Sequence, residues 1–222
     1  MIKILEILAF VVSTGAFGYG ILCLPRKGTA QYFQLYVCAA GCYMLEELWV
    51  IVNSLLGNGG QDGLVTVRLL GFFGCLCFML SADAGESDRY ADTEAGKGTN
   101  ILALIAPALL LLIYSLYLLS PQRNAPVWAD VIGLLSLSPA LVASWFSLKH
   151  LLLVRAGNPF LEAIRSIDIL SLIFFAANYL YPLAYLFCPK EAMGVYDLLL
   201  AGILWGILTA CRKGAVKCRT SS

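Results

Sequence analysis

Seven predominantly apolar runs, each about 18–25 residues long, constrain this chain more than any other feature. At about 1.5 Å per residue, a helix of that length crosses a hydrocarbon layer about 30 Å thick. The runs span 4–24, 33–56, 64–81, 100–119, 128–148, 163–187 and 194–211. Turn-forming segments separate several of them: Pro25-Arg26-Lys27-Gly28, Gly57-Asn58-Gly59-Gly60-Gln61-Asp62-Gly63, Ser120-Pro121-Gln122-Arg123-Asn124 and Cys188-Pro189-Lys190-Glu191. Hydrophobic residues make up 60% of the chain and charged residues 13%, whereas soluble domains carry about 25% charged residues. A water-soluble globule of 222 residues cannot hide that much apolar surface. The fold class expected is all-α, a polytopic membrane protein built as a seven-transmembrane-helix bundle. A single domain over 1–212 is expected, followed by a short basic tail over 213–222. The opening Met1-Ile2-Lys3 imitates a secretory signal, but the apolar stretch runs on to Leu24 without a small-residue cleavage site. It reads as a first transmembrane helix.

Orientation follows from lysine and arginine alone. Arg26, Lys27, Arg89, Lys97, Lys149, Arg155, Arg165, Arg212, Lys213, Lys217 and Arg219 fall on one side of the seven-span layout, and only Lys3, Arg68, Arg123 and Lys190 on the other. The richer side is cytoplasmic, which puts the C-terminus inside and, with an odd number of crossings, the N-terminus outside. The longest connection, 82–99, is then a cytoplasmic, mostly acidic linker. The basic exit after Arg212, with Cys211 and Cys218 beside it, reads as positive-inside anchoring, with acylation or anionic lipid as further uses.

Ionisable side chains inside a span are costly, so each is a functional hypothesis. The strongest is Glu46-Glu47, about 13–15 Å below the outer end of the second helix. Adjacent helical residues point about 100° apart, so the two carboxylates address different neighbours. Asn178 lies at a similar depth in the sixth span with Tyr179 beside it, and Arg68 lies about 6 Å inside the third. These residues define a candidate ligand-binding pocket facing outward: Glu46, Glu47, Asn53, Arg68, Asn178 and Tyr179. A polar clamp locking the second, third and sixth spans is the competing explanation of the same pattern. Asp168, three residues after Arg165, reads as half of an intrahelical ion pair. Pro139 and Pro182 mark kinks in the fifth and sixth spans.

The lone histidine, His150, follows Lys149 at a cytoplasmic helix end and reads as interfacial, and one histidine does not make a multi-histidine zinc or haem centre. Cys75 and Cys77 with Cys38 and Cys42 pose the question of a soft-metal site, but cysteines inside apolar runs ordinarily pack as small apolar residues. No nucleophile elbow or phosphate loop is present. The chain is therefore read as a non-enzyme without catalytic residues, metal or cofactor. A net charge of +1 offers nothing to nucleic acid. The partners expected are the lipid bilayer, a small ligand from the outer side and a separate cytoplasmic signalling protein meeting the surface around Arg89, Lys149 and Arg155. Small-residue stripes such as Gly202 and Gly206 leave room for a homo-oligomer.

From the third span onward the chain resembles the seven-transmembrane input domains of bacterial membrane-embedded transcription regulators and sensor histidine kinases. Ile105-Ala106-Pro107-Ala108, Tyr114-Ser115-Leu116-Tyr117, Asn158-Pro159-Phe160-Leu161-Glu162-Ala163-Ile164-Arg165 and the basic exit carry the likeness. It is a pattern of spans and loops over roughly the last two-thirds, and no DNA-binding or kinase domain follows within 222 residues. The resemblance implies a bacterial inner-membrane location and a sensory role, passing a signal to a separate partner. A small proton-coupled transporter or channel using Glu46 and Glu47 is the alternative.

Overall fold

A computed structural model describes residues 2–24, 31–56, 61–83, 97–121, 127–153 and 159–220. Among them there is no strand. The helices are α1 (Ile2–Cys23), α2 (Gln31–Leu56), α3 (Gln61–Asp83), α4 (Lys97–Ala103), α5 (Ile105–Leu118), α6 (Val127–Leu153), α7 (Pro159–Phe187) and α8 (Lys190–Thr220). Among the described residues six segments are long and apolar enough to cross a membrane: Ile4–Cys23, Gln31–Asn53, Gly98–Leu118, Asp130–Leu153, Arg165–Phe187 and Ala192–Arg212. Within α3 the apolar stretch Leu69–Ala82 is shorter. The linker expected over 82–99 falls mostly on 84–96, outside the described residues.

The fourth expected span is two helices joined at Leu104. Pro107 explains the break: it has no N–H to donate to the carbonyl of Ala103, and its ring crowds that carbonyl. The chain tightens there instead, with Leu104 N–H donating to Ile101 at 3.1 Å and Ala108 N–H to Leu104 at 3.1 Å. α6 runs through Pro139 without stopping. The carbonyl that proline orphans, on Leu135, accepts the Ser138 hydroxyl at 2.9 Å, so no backbone acceptor is stranded in an apolar medium. At the far end, α8 continues as helix to Thr220, so the basic segment extends the last helix.

Helices α1, α2, α3, α6, α7 and α8 form a closed ring, each packed on the next, with α8 returning to α1. The α4–α5 segment lies against α6 and α7. Its faces show why: Leu110, Tyr114 and Tyr117 are buried at helical spacing, while Leu109, Leu112 and Leu116 on the opposite side are exposed. Exposed apolar side chains such as Ile4, Leu22, Leu102, Val131 and Leu199 extend this lipid-compatible surface around the bundle.

Close approaches set the register. A Cβ on Gly74 would stand 2.8 Å from the Tyr43 ring, so α2 and α3 touch nearly backbone to ring. Between α1 and α8, a Cβ on Gly194 would stand 2.8 Å from Leu5, and one on Gly15 2.6 Å from Trp205. Further along, Tyr19 stacks on Trp205 at 6.1 Å and accepts a hydrogen bond from Arg212 at 3.2 Å. Residue numbers rise together on both helices, so the first and last helices are parallel neighbours.

Candidate functional site

The polar side chains of the bundle interior are arranged in layers. At the level where α1 and α8 begin and α2 and α7 end, Glu47 lies within electrostatic reach of Asp197 on α8 and Glu6 on α1. The Tyr181 hydroxyl on α7 donates to the Asp197 carboxylate, and Tyr181 also lies in reach of Glu47 and Glu46. The Tyr181 ring meets Tyr196 edge-on at 5.5 Å, and the Tyr196 hydroxyl donates to the Ala177 carbonyl at 2.7 Å. Three carboxylates from three helices, with two tyrosines, therefore share one end of the bundle.

Glu46 turns the other way, as the helical angle between neighbours requires. Its carboxylate stands 3.6 Å from the place a Cβ on Gly71 would take, so glycine at that position admits it to the α2–α3 seam. It is in electrostatic reach of Tyr43, Cys75 and Tyr179. These three form a chain: Tyr43 Oη to Cys75 Sγ at 3.5 Å, and Cys75 Sγ to Tyr179 Oη at 3.9 Å. Tyr179 also meets Tyr114 edge-on at 6.2 Å.

One turn further in, the described contacts between α3 and α7 are aromatic. Phe78 of α3 stacks on Phe174 of α7 at 5.2 Å and meets Phe175 at 5.2 Å, all three almost wholly buried. Phe78 also abuts both Tyr43, on the Glu46 side, and Tyr36, on the far side. Tyr36 and Tyr43 are seven residues apart on α2, about 10 Å along the axis. The phenylalanines thus form an aromatic septum about two helical turns thick.

Beyond the septum lies a second polar layer. Tyr36 Oη is 3.4 Å from Ser171 Oγ, and Tyr36 is also hydrogen-bonded to Ser81. His150 Nδ1 lies 3.5 Å from Asp168 Oδ1, and Ser147 bonds the same carboxylate. His150 and Asp168 are only 2% and 4% exposed. His150 Nε2 and Asp168 Oδ2 have no hydrogen-bond partner among the described residues.

No family model, curated protein or solved structure matches the chain. The site rests on its geometry.

Of the residues singled out from sequence, Glu46, Glu47 and Tyr179 are drawn together around Tyr181 and Cys75. Asn53 and Asn178 are half-buried, the first near the end of α2 and the second one residue before Tyr179. Arg68 is on α3, and its side chain lies outside the described residues, as do Arg89 and Arg155. Three expectations are corrected. Asp168 is buried against His150 of α6, whereas Arg165, one turn earlier and nearer the start of α7, is exposed. His150 does not end the helix on an exposed face: α6 runs to Leu153, past the expected end at 148, and His150 is buried among its neighbours. Lys149 is 1% exposed, its ammonium 4.8 Å from the centre of the Trp145 ring, so it is withdrawn from any cytoplasmic docking surface.

Cys211, weighed as an acylation site, is fully buried. Cys218 lies beyond the described side chains. Glu6 and Asp197 were not singled out. Both lie inside apolar spans, so the cost of burying an ionisable group applies to them as it does to Glu47. Among the described residues, no group of three or more His, Cys, Asp or Glu is arranged to hold a metal ion.

Proposed function

We propose that the protein is a receptor-like, sensory membrane module with seven crossings, its N-terminus outside and its C-terminus in the cytoplasm. In this reading the layer of Glu6, Glu47, Asp197, Tyr181 and Tyr196 binds a small organic cation from the outer side. Carboxylates grouped on three helices can surround an ammonium group, and tyrosine faces add cation–π attraction of about 0.5–2 kcal/mol. Binding draws α1, α2, α7 and α8 together, and the displacement reaches a separate cytoplasmic partner. The parallel packing of α1 and α8 supports an odd number of crossings, with α3 as the third, and the lysine and arginine distribution supports the orientation. The resemblance to bacterial sensory input domains agrees with this role.

One observation carries the choice of a sensor over a conduit: the aromatic septum of Phe78, Phe174 and Phe175 interrupts the polar interior. A transporter needs a route between its two polar layers, whereas a sensor needs only helices that shift. Glu46, seated in the α2–α3 seam beside Gly71, acts in this reading as the polar clamp, and Glu47 as the ligand contact.

The test is a thermal-shift titration of purified protein with primary, secondary and quaternary ammonium compounds, paired with uptake assays in proteoliposomes. Saturable stabilisation by one cation class, lost in Glu47→Gln and unaccompanied by flux, is the expected result. Proton-coupled uptake abolished by Glu47→Gln would establish the transporter instead. No cation-dependent stabilisation in any class would remove the ligand reading.

A further inference from the structure

We propose that Cys42 and Cys77 form a reversible redox crosslink between α2 and α3, oxidised from the lipid phase by organic hydroperoxides. The site is independent of the carboxylate layer and follows from how these two helices pack. They run antiparallel and approach closely at Gly71, beside Glu46, and at Gly74, beside Tyr43. Toward the opposite end, the Ser81 hydroxyl donates to the Tyr32 carbonyl at 2.9 Å, tying the same seam. Between these anchors Cys77 projects toward two cysteines one turn apart on α2. The Cys42 and Cys77 thiols are hydrogen-bonded to each other, and Cys38 is in electrostatic reach of both.

Access separates this cluster from the fully buried thiols of the bundle. Cys38 is exposed, and Cys42 and Cys77 are half-buried, so the seam is open to a reagent dissolved among acyl chains. Cys75, two residues earlier, is 1% exposed and hydrogen-bonded to Tyr43 and Tyr179, and Cys211 is fully buried. Hydrogen-bonded thiols need a shift on the order of 1–2 Å to reach an S–S bond of about 2.05 Å, a movement within side-chain rotation.

The chemistry balances in two steps. One thiol sulfur attacks the terminal oxygen of the hydroperoxide, the O–O bond breaks, and the alcohol leaves with the thiol proton, giving a sulfenic acid. The second thiol attacks that sulfur, the S–O bond breaks and water departs, giving the disulfide. Two thiols are oxidised and one hydroperoxide is reduced to its alcohol. A dithiol reductant reverses the crosslink by exchange.

The experiment treats the 222-residue chain in proteoliposomes with cumene hydroperoxide, denatures it, counts free thiols with a maleimide and maps crosslinks by peptide mass spectrometry. Two of the eight thiols are expected to disappear, with a Cys42–Cys77 peptide recovered and dithiothreitol restoring the full count. Cys42→Ala and Cys77→Ala each abolish the crosslinked peptide, and Cys188→Ala leaves it unchanged. The wild-type map decides the matter even if a variant folds poorly. Eight free thiols after treatment, a crosslink joining other cysteines, or irreversible acids on Cys38 alone would each overturn the proposal.

Discussion

Replacing Phe78 with alanine puts the septum to a quantitative test. The side chain is 1% exposed and touches Tyr36, Tyr43, Phe174 and Phe175 at ring separations of 5.2 to 6.4 Å. In a membrane the unfolded reference state leaves phenylalanine in acyl chains, so no transfer term from water applies and packing alone is lost. Truncation removes a volume on the order of 100 Å³, which at about 24 cal/mol per Å³ of unrelaxed cavity costs about 2–3 kcal/mol. Losing favourable aromatic geometry adds about 1 kcal/mol, counted once because the remaining rings repack. The control is Phe73→Ala, five residues earlier on α3 and 51% exposed on the lipid side, expected to change stability by about 0.5 kcal/mol or less. Unfolding titrations in mixed micelles compare the two. In liposomes with an internal pH dye, Phe78→Ala is expected to leak protons while the parent chain and Phe73→Ala stay tight. Equal unfolding costs for the two variants, with no leak in either, would refute the claim that this ring separates the polar layers.

Other consequences are as direct. Gly15→Ala places a methyl 2.6 Å from the Trp205 ring and is expected to cost about 1–3 kcal/mol in the same titration, whereas Gly18→Ala, with nothing within 4 Å, is expected to be neutral. Asp168→Ala is expected to destabilise by about 1–3 kcal/mol because it strands buried His150, while Arg165→Ala changes nothing measurable. In a variant retaining only Cys188, an impermeant maleimide added to intact cells is expected to label the protein, since this exposed residue sits at the outer turn of the proposed topology.

The membrane class was legible from sequence because the bilayer imposes one length on every crossing, and hydropathy measures length directly. Boundaries were less so. The apolar pattern ends the fifth span at 148, yet α6 runs to Leu153, and those five residues include the buried Lys149 and His150. Hydropathy reads Pro107 as an ordinary member of a leucine-rich span, although its ring removes a backbone hydrogen bond from the turn before it. At the site, the rule that intramembrane acids are expensive found Glu46 and Glu47 but was not carried through to Glu6 and Asp197. Helical period tells which residues share a face and is silent on which helix that face meets. The meeting of Asp168 with His150, eighteen positions back, and of Glu47 with α1 and α8 is a property of bundle order that one sequence does not display.

The side-by-side seating of α1 and α8 bears on biogenesis. Of these helices α1 leaves the ribosome before the others and α8 after them, so the groove of Gly15 and Ala16 that receives Trp205 waits in lipid while everything between is synthesised. Ring closure is thus the most sequence-distant event in assembly, and entropy makes such contacts slow to form. A ribosome stalled before Trp205 would leave an open horseshoe with small residues facing acyl chains, a shape that membrane quality control can tell from the finished bundle.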